Sequence, residues 1–119
     1  MYVFHELGRA GEDFACFFLE NNNYKIIERN FRCKQGEIDI VAKDISKDEL
    51  VFIEVKTRSS IKYGQPSEAV NGHKQKHIYQ ASTYYVYLHR ITNENIRFDV
   101  IEIFASKSGM KINHIKQIF

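Results

Sequence analysis

Two stretches of the chain alternate apolar and polar residues with period two: Gly36-Glu37-Ile38-Asp39-Ile40-Val41-Ala42 and Val51-Phe52-Ile53-Glu54-Val55-Lys56. Such alternation marks a strand whose neighbouring side chains point to opposite faces. The segment between them, Asp44 to Glu49, is largely polar and charged, so the two strands are expected to form an antiparallel hairpin. With arms symmetric about that loop, Asp39 lies opposite Glu54 and Glu37 opposite Lys56. One face then carries Ile38, Ile40, Ala42, Val51, Ile53 and Val55. The other carries Glu37, Asp39, Glu54 and Lys56, with Val41 and Phe52 nearer the turn.

The rest of the chain changes period around this hairpin. From about Leu7 to Asn22 the pattern is helical, and at 100° per residue Leu7, Gly11, Phe14 and Phe18 form one apolar stripe. Glu12 sits at the edge of that stripe beside Leu19, whereas Asp13 and Glu20 fall on the polar side. Asn21-Asn22-Asn23 breaks the helix, and Tyr24 to Phe31 reads as a strand. After Arg58, Ser59 to Gly64 reads as a loop, and Pro66 with Ser67 signals a short helical turn through Val70, broken by Asn71-Gly72. A second helix is expected over Lys74 to His89, with Ile78, Ala81, Ser82, Tyr85 and Leu88 facing inward. Strands over Ile96 to Phe104 and Met110 to Ile118, turned at Ser108-Gly109, complete the order α-β-β-β-α-β-β, a single α/β domain over residues 1–119.

Length is consistent with one domain: 119 residues bury about two thirds of their unfolded surface without staples. No apolar run is long enough to span a membrane, and no basic-then-apolar leader is present, so a cytoplasmic protein with no membrane partner is expected. Cys16 and Cys33 are too few and too far apart for a zinc ribbon and read as reduced structural thiols. The net charge of +2 is unevenly spread. Residues 37–54 hold six acids and two bases, whereas residues 56–90 hold six bases (Lys56, Arg58, Lys62, Lys74, Lys76 and Arg90) and one acid, Glu68. That is a moderate electrostatic footprint for a polyanion beside an acidic site.

Two carboxylates opposite each other in a sheet repel by a few tenths to about 1 kcal/mol. Lys56 offsets part of this, but it lies two residues along. Hard oxygen donors in such a pair suit Mg²⁺ or Mn²⁺; an exposed Glu–Lys pair on a solvated sheet face is the plainer alternative. His73, His77 and His89 have no accompanying cysteine or carboxylate cluster and read as a solvated helix face.

Gly36-Glu37-Ile38-Asp39 followed by Phe52-Ile53-Glu54-Val55-Lys56-Thr57-Arg58 resembles the active-site hairpin of the PD-(D/E)XK nuclease superfamily. The whole chain resembles the bacterial YraN-like family of small proteins within it. Further matching segments are Gly8-Arg9-Ala10-Gly11-Glu12, Gly64-Gln65-Pro66-Ser67-Glu68-Ala69-Val70, Lys74 and Arg97-Phe98-Asp99. The resemblance implies a restriction-endonuclease-like fold, with a mixed central β-sheet flanked by helices. It also implies a Mg²⁺- or Mn²⁺-dependent nuclease acting on DNA, with branched or recombination intermediates among the candidate substrates. In that reading Asp39, Glu54 and the backbone carbonyl of Val55 bind the metal. Glu12 completes the site directly or through water, at a position where related Holliday-junction resolvases carry a helical Glu. Lys56 orients or deprotonates the attacking water, or contacts the phosphate. Glu37 is either the ion-pair partner of Lys56 or a support to the ligands. Arg9, Arg58 and Lys74 are candidate phosphate contacts. Gln80-x-x-x-Tyr84 resembles a motif of the RecB-type branch, but the helical wheel turns Gln80 away from the inward stripe.

The alternative is a catalytically silent DNA-binding or adaptor protein that keeps the fold and its charge pattern. A symmetric substrate would favour a homodimer, by analogy alone.

Overall fold

The computed structural model describes residues 4–58 and 72–119, with side chains from Arg9 onward in the first helix and from Gln75 onward in the second. The expected loop and turn between Ser59 and Val70, and with them the segment Gly64–Val70, lie outside the described residues. The chain runs α1 (Phe4–Glu20), β1 (Tyr24–Cys33), β2 (Gly36–Asp44), β3 (Glu49–Arg58), α2 (Gly72–Leu88), β4 (Asn95–Ser106) and β5 (Gly109–Ile115). This is the α/β order read from the sequence, with ends displaced by a few residues.

The strands form one mixed sheet in the order β1-β2-β3-β4-β5. All neighbours are antiparallel except β3 and β4, which are parallel. A parallel pair cannot be joined by a tight turn and needs a long crossover; the segment carrying α2 supplies it.

The asparagine run ends α1 by a specific device. Asn21 and Asn22 donate their side-chain amides to the carbonyls of Phe17 and Phe18, both at 2.8 Å, which satisfies acceptors left over at the helix end. Asn23 then takes a left-handed conformation, φ 67°, that asparagine tolerates better than most residues.

Both faces of the sheet are covered. Ala15, Cys16 and Leu19 of α1 pack on Ile40, Ala42, Val51, Ile53, Ile101 and Ile103. On the other face, Ala81 and Tyr85 of α2 cover Phe31, Ile38, Val41, Leu50 and Phe52. The run Leu50 to Ile53 is therefore buried throughout, as expected of a central strand between two layers. Burying each such side chain contributes about 1.5–3 kcal/mol.

This corrects two expectations. Ile38 does not share a face with Ile40; it joins Phe31, Val41 and Phe52 under α2. The alternation is interrupted where Asn30, at φ 57°, sits between the pairs Arg29↔Ile40 and Phe31↔Ile38. Cross-strand partners share a face of the sheet, so Ile38 sits with its partner Phe31 under α2. Leu88, expected to face inward, is 50% exposed because it is the last residue of α2. Ile78, Ala81, Ser82 and Tyr85 are buried as expected. No helix among the described residues is long and apolar enough to cross a membrane.

Candidate active site

The β2–β3 ladder runs from Asp44↔Glu49 to Ile40↔Ile53. One residue further along the same register, Asp39 falls opposite Glu54. There a side chain takes over from the ladder: Asp39 Oδ2 accepts a hydrogen bond from the Val55 amide at 2.8 Å. The Asp39 carboxyl also shares a hydrogen bond with Glu54, whose side chain is only 6% exposed. The hairpin thus brings together the two carboxylates that its period-two pattern had placed opposite each other.

Burial raises the pKa of Asp39 to about 7, helped by the negative charges of Glu54 and Glu12 and opposed by the Val55 amide. Two carboxylates in contact away from water cannot both ionise without a compensating cation, so the pair shares a proton near neutrality. Lys56 places its Nζ 3.5 Å from Glu54 Oε1 while remaining partly exposed. It is two residues along β3 from Glu54, on the same face of the strand.

Glu12 reaches this end of the sheet because α1 lies close to β3. A methyl group added at Gly11 would overlap the Thr57 side chain, so only glycine allows the helix this approach. Glu12 does not join the carboxylate pair. Its Oε1 accepts hydrogen bonds from Arg29 Nε at 3.2 Å, Arg29 Nη2 at 3.0 Å and Asn30 Nδ2 at 2.9 Å. Arg29 also bridges to Asp13 at 2.8 Å. Glu12 is 14% exposed and Asp13 60%, the inward–outward order expected from the helical wheel. Among the described residues, no three His, Cys, Asp or Glu side chains come together in a group able to hold a metal. The carboxylates of Asp39 and Glu54 form a pair, with Glu12 held beside it.

The expected Glu37–Lys56 pair is not formed. Glu37 binds Arg32 at 3.1 Å, its cross-strand partner in β1, and is well exposed. The strands part beyond Asp39, which leaves Glu37 to the β1 side and Lys56 to Glu54.

Of the candidate phosphate contacts, Arg58 is a quarter exposed and lies 3.8 Å from Glu102 Oε2. Arg9 is exposed on α1. Lys74 belongs to the first turn of α2, and its side chain lies outside the described residues. His77 and His89 are exposed, and His89 stacks on Tyr85 at 4.0 Å; His73 lies outside the described side chains. Gln80 and Tyr84 face outward. Cys16 and Cys33 are free thiols, the first buried.

Three sets of residues escaped the sequence reading. Arg29 and Asn30 hold Glu12. Glu102 is completely buried opposite Lys56 on β4, hydrogen-bonded by Asn113 at 3.2 Å, with burial raising its pKa. The lone acid in Val100-Ile101-Glu102-Ile103 was the available signal. Arg97 was noted only as part of a matching segment. It binds Asp99 at 2.9 and 2.8 Å, Asp44 at 2.8 Å, Glu49 at 2.7 Å and Tyr24 Oη at 2.7 Å. Asp99 also meets His114 Nε2 at 2.7 Å and the Gln117 amide at 3.0 Å. This buried network is centred near the β2–β3 turn and ties all five strands and the C-terminal segment together.

Comparison with known proteins identifies the family. The profile of the uncharacterised protein family UPF0102 matches residues 11–103. A UPF0102 protein of Caldicellulosiruptor saccharolyticus is 45% identical over 116 residues, covering 96% of this chain and 97% of its own. One from Clostridium botulinum is 47% identical over 121 residues, covering 99% and 97%. One from Clostridioides difficile is 45% identical over 114 residues, covering 96% of each. The chain belongs to the UPF0102, or YraN-like, family of the restriction-endonuclease-like superfamily.

Proposed function

We propose that this member of the family is a Mg²⁺- or Mn²⁺-dependent nuclease that hydrolyses phosphodiester bonds in DNA. The observation that carries the reading is the Asp39–Glu54 pair: two touching carboxylates at the open end of a hairpin, one keeping its proton to about pH 7, with an ammonium group at 3.5 Å. The donor set fits a divalent cation, because hard carboxylate oxygens suit these ions and the ion removes the repulsion that the shared proton otherwise relieves. When bound, the ion supplies charge against the phosphate and acidifies a water.

The chain's own residues divide the remaining work. Asp39 and Glu54 hold the ion, with the Val55 carbonyl as a further oxygen. Val55 also fixes Asp39 by donating its amide. Glu12, clamped by Arg29 and Asn30, adds negative charge at the rim and reaches the site through water. Lys56 orients the attacking water or contacts the phosphate. Arg58, Arg9 and Lys74 contact the DNA backbone, for which charge and reach suffice. Branched or recombination intermediates are the substrates to try first, and a symmetric one would engage two copies of the chain.

The test is incubation with duplex, single-stranded and four-way-junction DNA, with and without Mg²⁺ or Mn²⁺. Cleavage that requires the metal and disappears with Glu54→Ala is expected. Salt-sensitive binding without cleavage under any of these conditions would replace this reading with that of a silent DNA-binding protein.

A further inference from the structure

The outward face of α2 is unusually aromatic. Tyr79 is 57% exposed, Tyr84 38% and Tyr87 77%. At 100° per residue, Tyr79, Gln80, Thr83, Tyr84 and Tyr87 fall within about 140° of one another, and Tyr79 and Tyr87 stand about 12 Å apart along the axis. With Gln35 of the β1–β2 turn they line a groove of about 470 Å³. The rings are anchored from behind: Tyr79 meets Phe98 at 6.2 Å and Tyr84 meets Phe31 at 6.4 Å.

The surroundings favour an anion. No acid occurs in Gly72–Leu88, and Lys76 lies on the same exposed face as Tyr79 and Tyr87. Lys34 adjoins Gln35 and is exposed, and the nearby Glu37 and Arg32 neutralise each other. The groove also leads to the candidate site. Gly36 packs on His77, and Gln35 is only four strand residues, about 13 Å, from Asp39.

We infer that this face binds a single-stranded segment of DNA, stacking bases on Tyr79 and Tyr87 and leading the strand toward Asp39 and Glu54. Exposed aromatic rings beside positive charge form such a surface because every base has a π-face. Gln80 can donate and accept hydrogen bonds that tolerate any sequence, and Thr83 Oγ1, which donates to the Tyr79 carbonyl at 2.8 Å, can accept one. The direction of travel rests on the nuclease reading; the binding surface does not.

The experiment uses the full chain in EDTA with a fluorescein-labelled twenty-nucleotide oligo-dT, its duplex and a flap substrate. The chain has seven tyrosines and no tryptophan, so base stacking is also read directly as quenching of tyrosine emission. Tyr79→Ala with Tyr87→Ala should weaken oligo-dT binding at least tenfold and remove most of the quenching. Duplex affinity should change less than threefold. Tyr87→Phe should behave as wild type, since it keeps the ring. Both positions are exposed, and circular dichroism verifies folding. Unchanged oligo-dT affinity in the double alanine variant, or equal losses on duplex and single strand, overturns the inference. Adding Mg²⁺ separates the two proposals. Tyrosine-dependent strand binding without cleavage keeps this surface and removes the nuclease, whereas cleavage of the flap unaffected by the double variant does the reverse.

Discussion

The carboxylate of Asp39 accepts the amide of Val55 at 2.8 Å across the end of the hairpin, and this one bond aims Asp39 at Glu54. The peptide group that orients Asp39 is thus the one that joins Glu54 to Val55. An error of one residue in the register would break this link and turn Asp39 to the opposite face.

Metal linkage should be visible in stability. Mg²⁺ or Mn²⁺ at a hundredfold excess over Kd should add about 2.7 kcal/mol to unfolding. Asp39→Asn should abolish the shift in Tm while raising the Tm of the metal-free protein, because it removes the repulsion with Glu54. Differential scanning fluorimetry across a metal titration checks both outcomes. Identical curves for wild type at all millimolar concentrations would remove the ion from the site.

The same pair sets a pH dependence. Asp39 has a folded pKa of about 7 against an ordinary 3.8, so between these values the folded chain binds the extra proton. Stability contributed by this group is therefore present below about pH 4 and falls as pH rises toward 7. Asp44 and Asp99 act in the opposite sense. Hydrogen bonds from Arg97, and from His114 to Asp99, hold their pKa values low, and their contribution is lost on acidification. Urea melts of the metal-free protein between pH 4.5 and 8 should show the downward slope in wild type and not in Asp39→Asn. With Mn²⁺ present the wild-type slope should reverse, since binding displaces the proton.

Glu12 and Asp13 share Arg29 but should not share an effect. Glu12→Ala removes the acceptor of three hydrogen bonds and a negative charge that acts on Asp39. Asp13→Ala removes one exposed bridge worth about 0.2–1 kcal/mol. Metal-dependent cleavage should fall at least tenfold in the first and less than twofold in the second, read from initial rates on junction DNA. Equal rates in both variants would place Glu12 outside the site.

Much of this was legible in the chain and some was not, for definite reasons. Period-two alternation in each arm, with a polar loop between, was enough to set Asp39 opposite Glu54, because register follows from symmetry about the turn. The inference failed at Ile38, whose facing changes beside the left-handed Asn30 of the neighbouring strand, a local irregularity that periodicity does not report. Glu37 went to Arg32 because the strands part beyond Asp39, which the alternation of either arm does not reveal. The Arg97 network required knowing that Asp44, Glu49 and Tyr24, distant in sequence, converge on one buried guanidinium.

That network should be structural. Arg97→Ala leaves Asp44 and Asp99 buried without their cation, a loss of about 3–5 kcal/mol. Chemical denaturation should show the full destabilisation, while any cleavage measured below the melting transition should persist. A loss of activity in a variant with unchanged stability would assign Arg97 to chemistry instead.

Charge at the site should also govern DNA binding in the absence of metal. Asp39 and Glu54 stand at the open end of the hairpin, and the phosphate backbone that Arg58 and Lys74 are proposed to attract must approach the same acids. Neutralising both, with Asp39→Asn and Glu54→Gln together, removes that repulsion and should tighten binding in EDTA while eliminating cleavage in Mg²⁺. The gain should shrink as salt rises, since screening shortens the reach of repulsion to a Debye length of about 8 Å near physiological ionic strength. Replacing Lys74 should act in the opposite direction, weakening binding to all sequences and flattening the salt dependence by up to about one unit. Titrations of labelled junction and duplex DNA at several salt concentrations separate the two effects. If the doubly neutral variant binds no tighter than wild type at low salt, the carboxylates do not face DNA, and the basic residues serve some other surface.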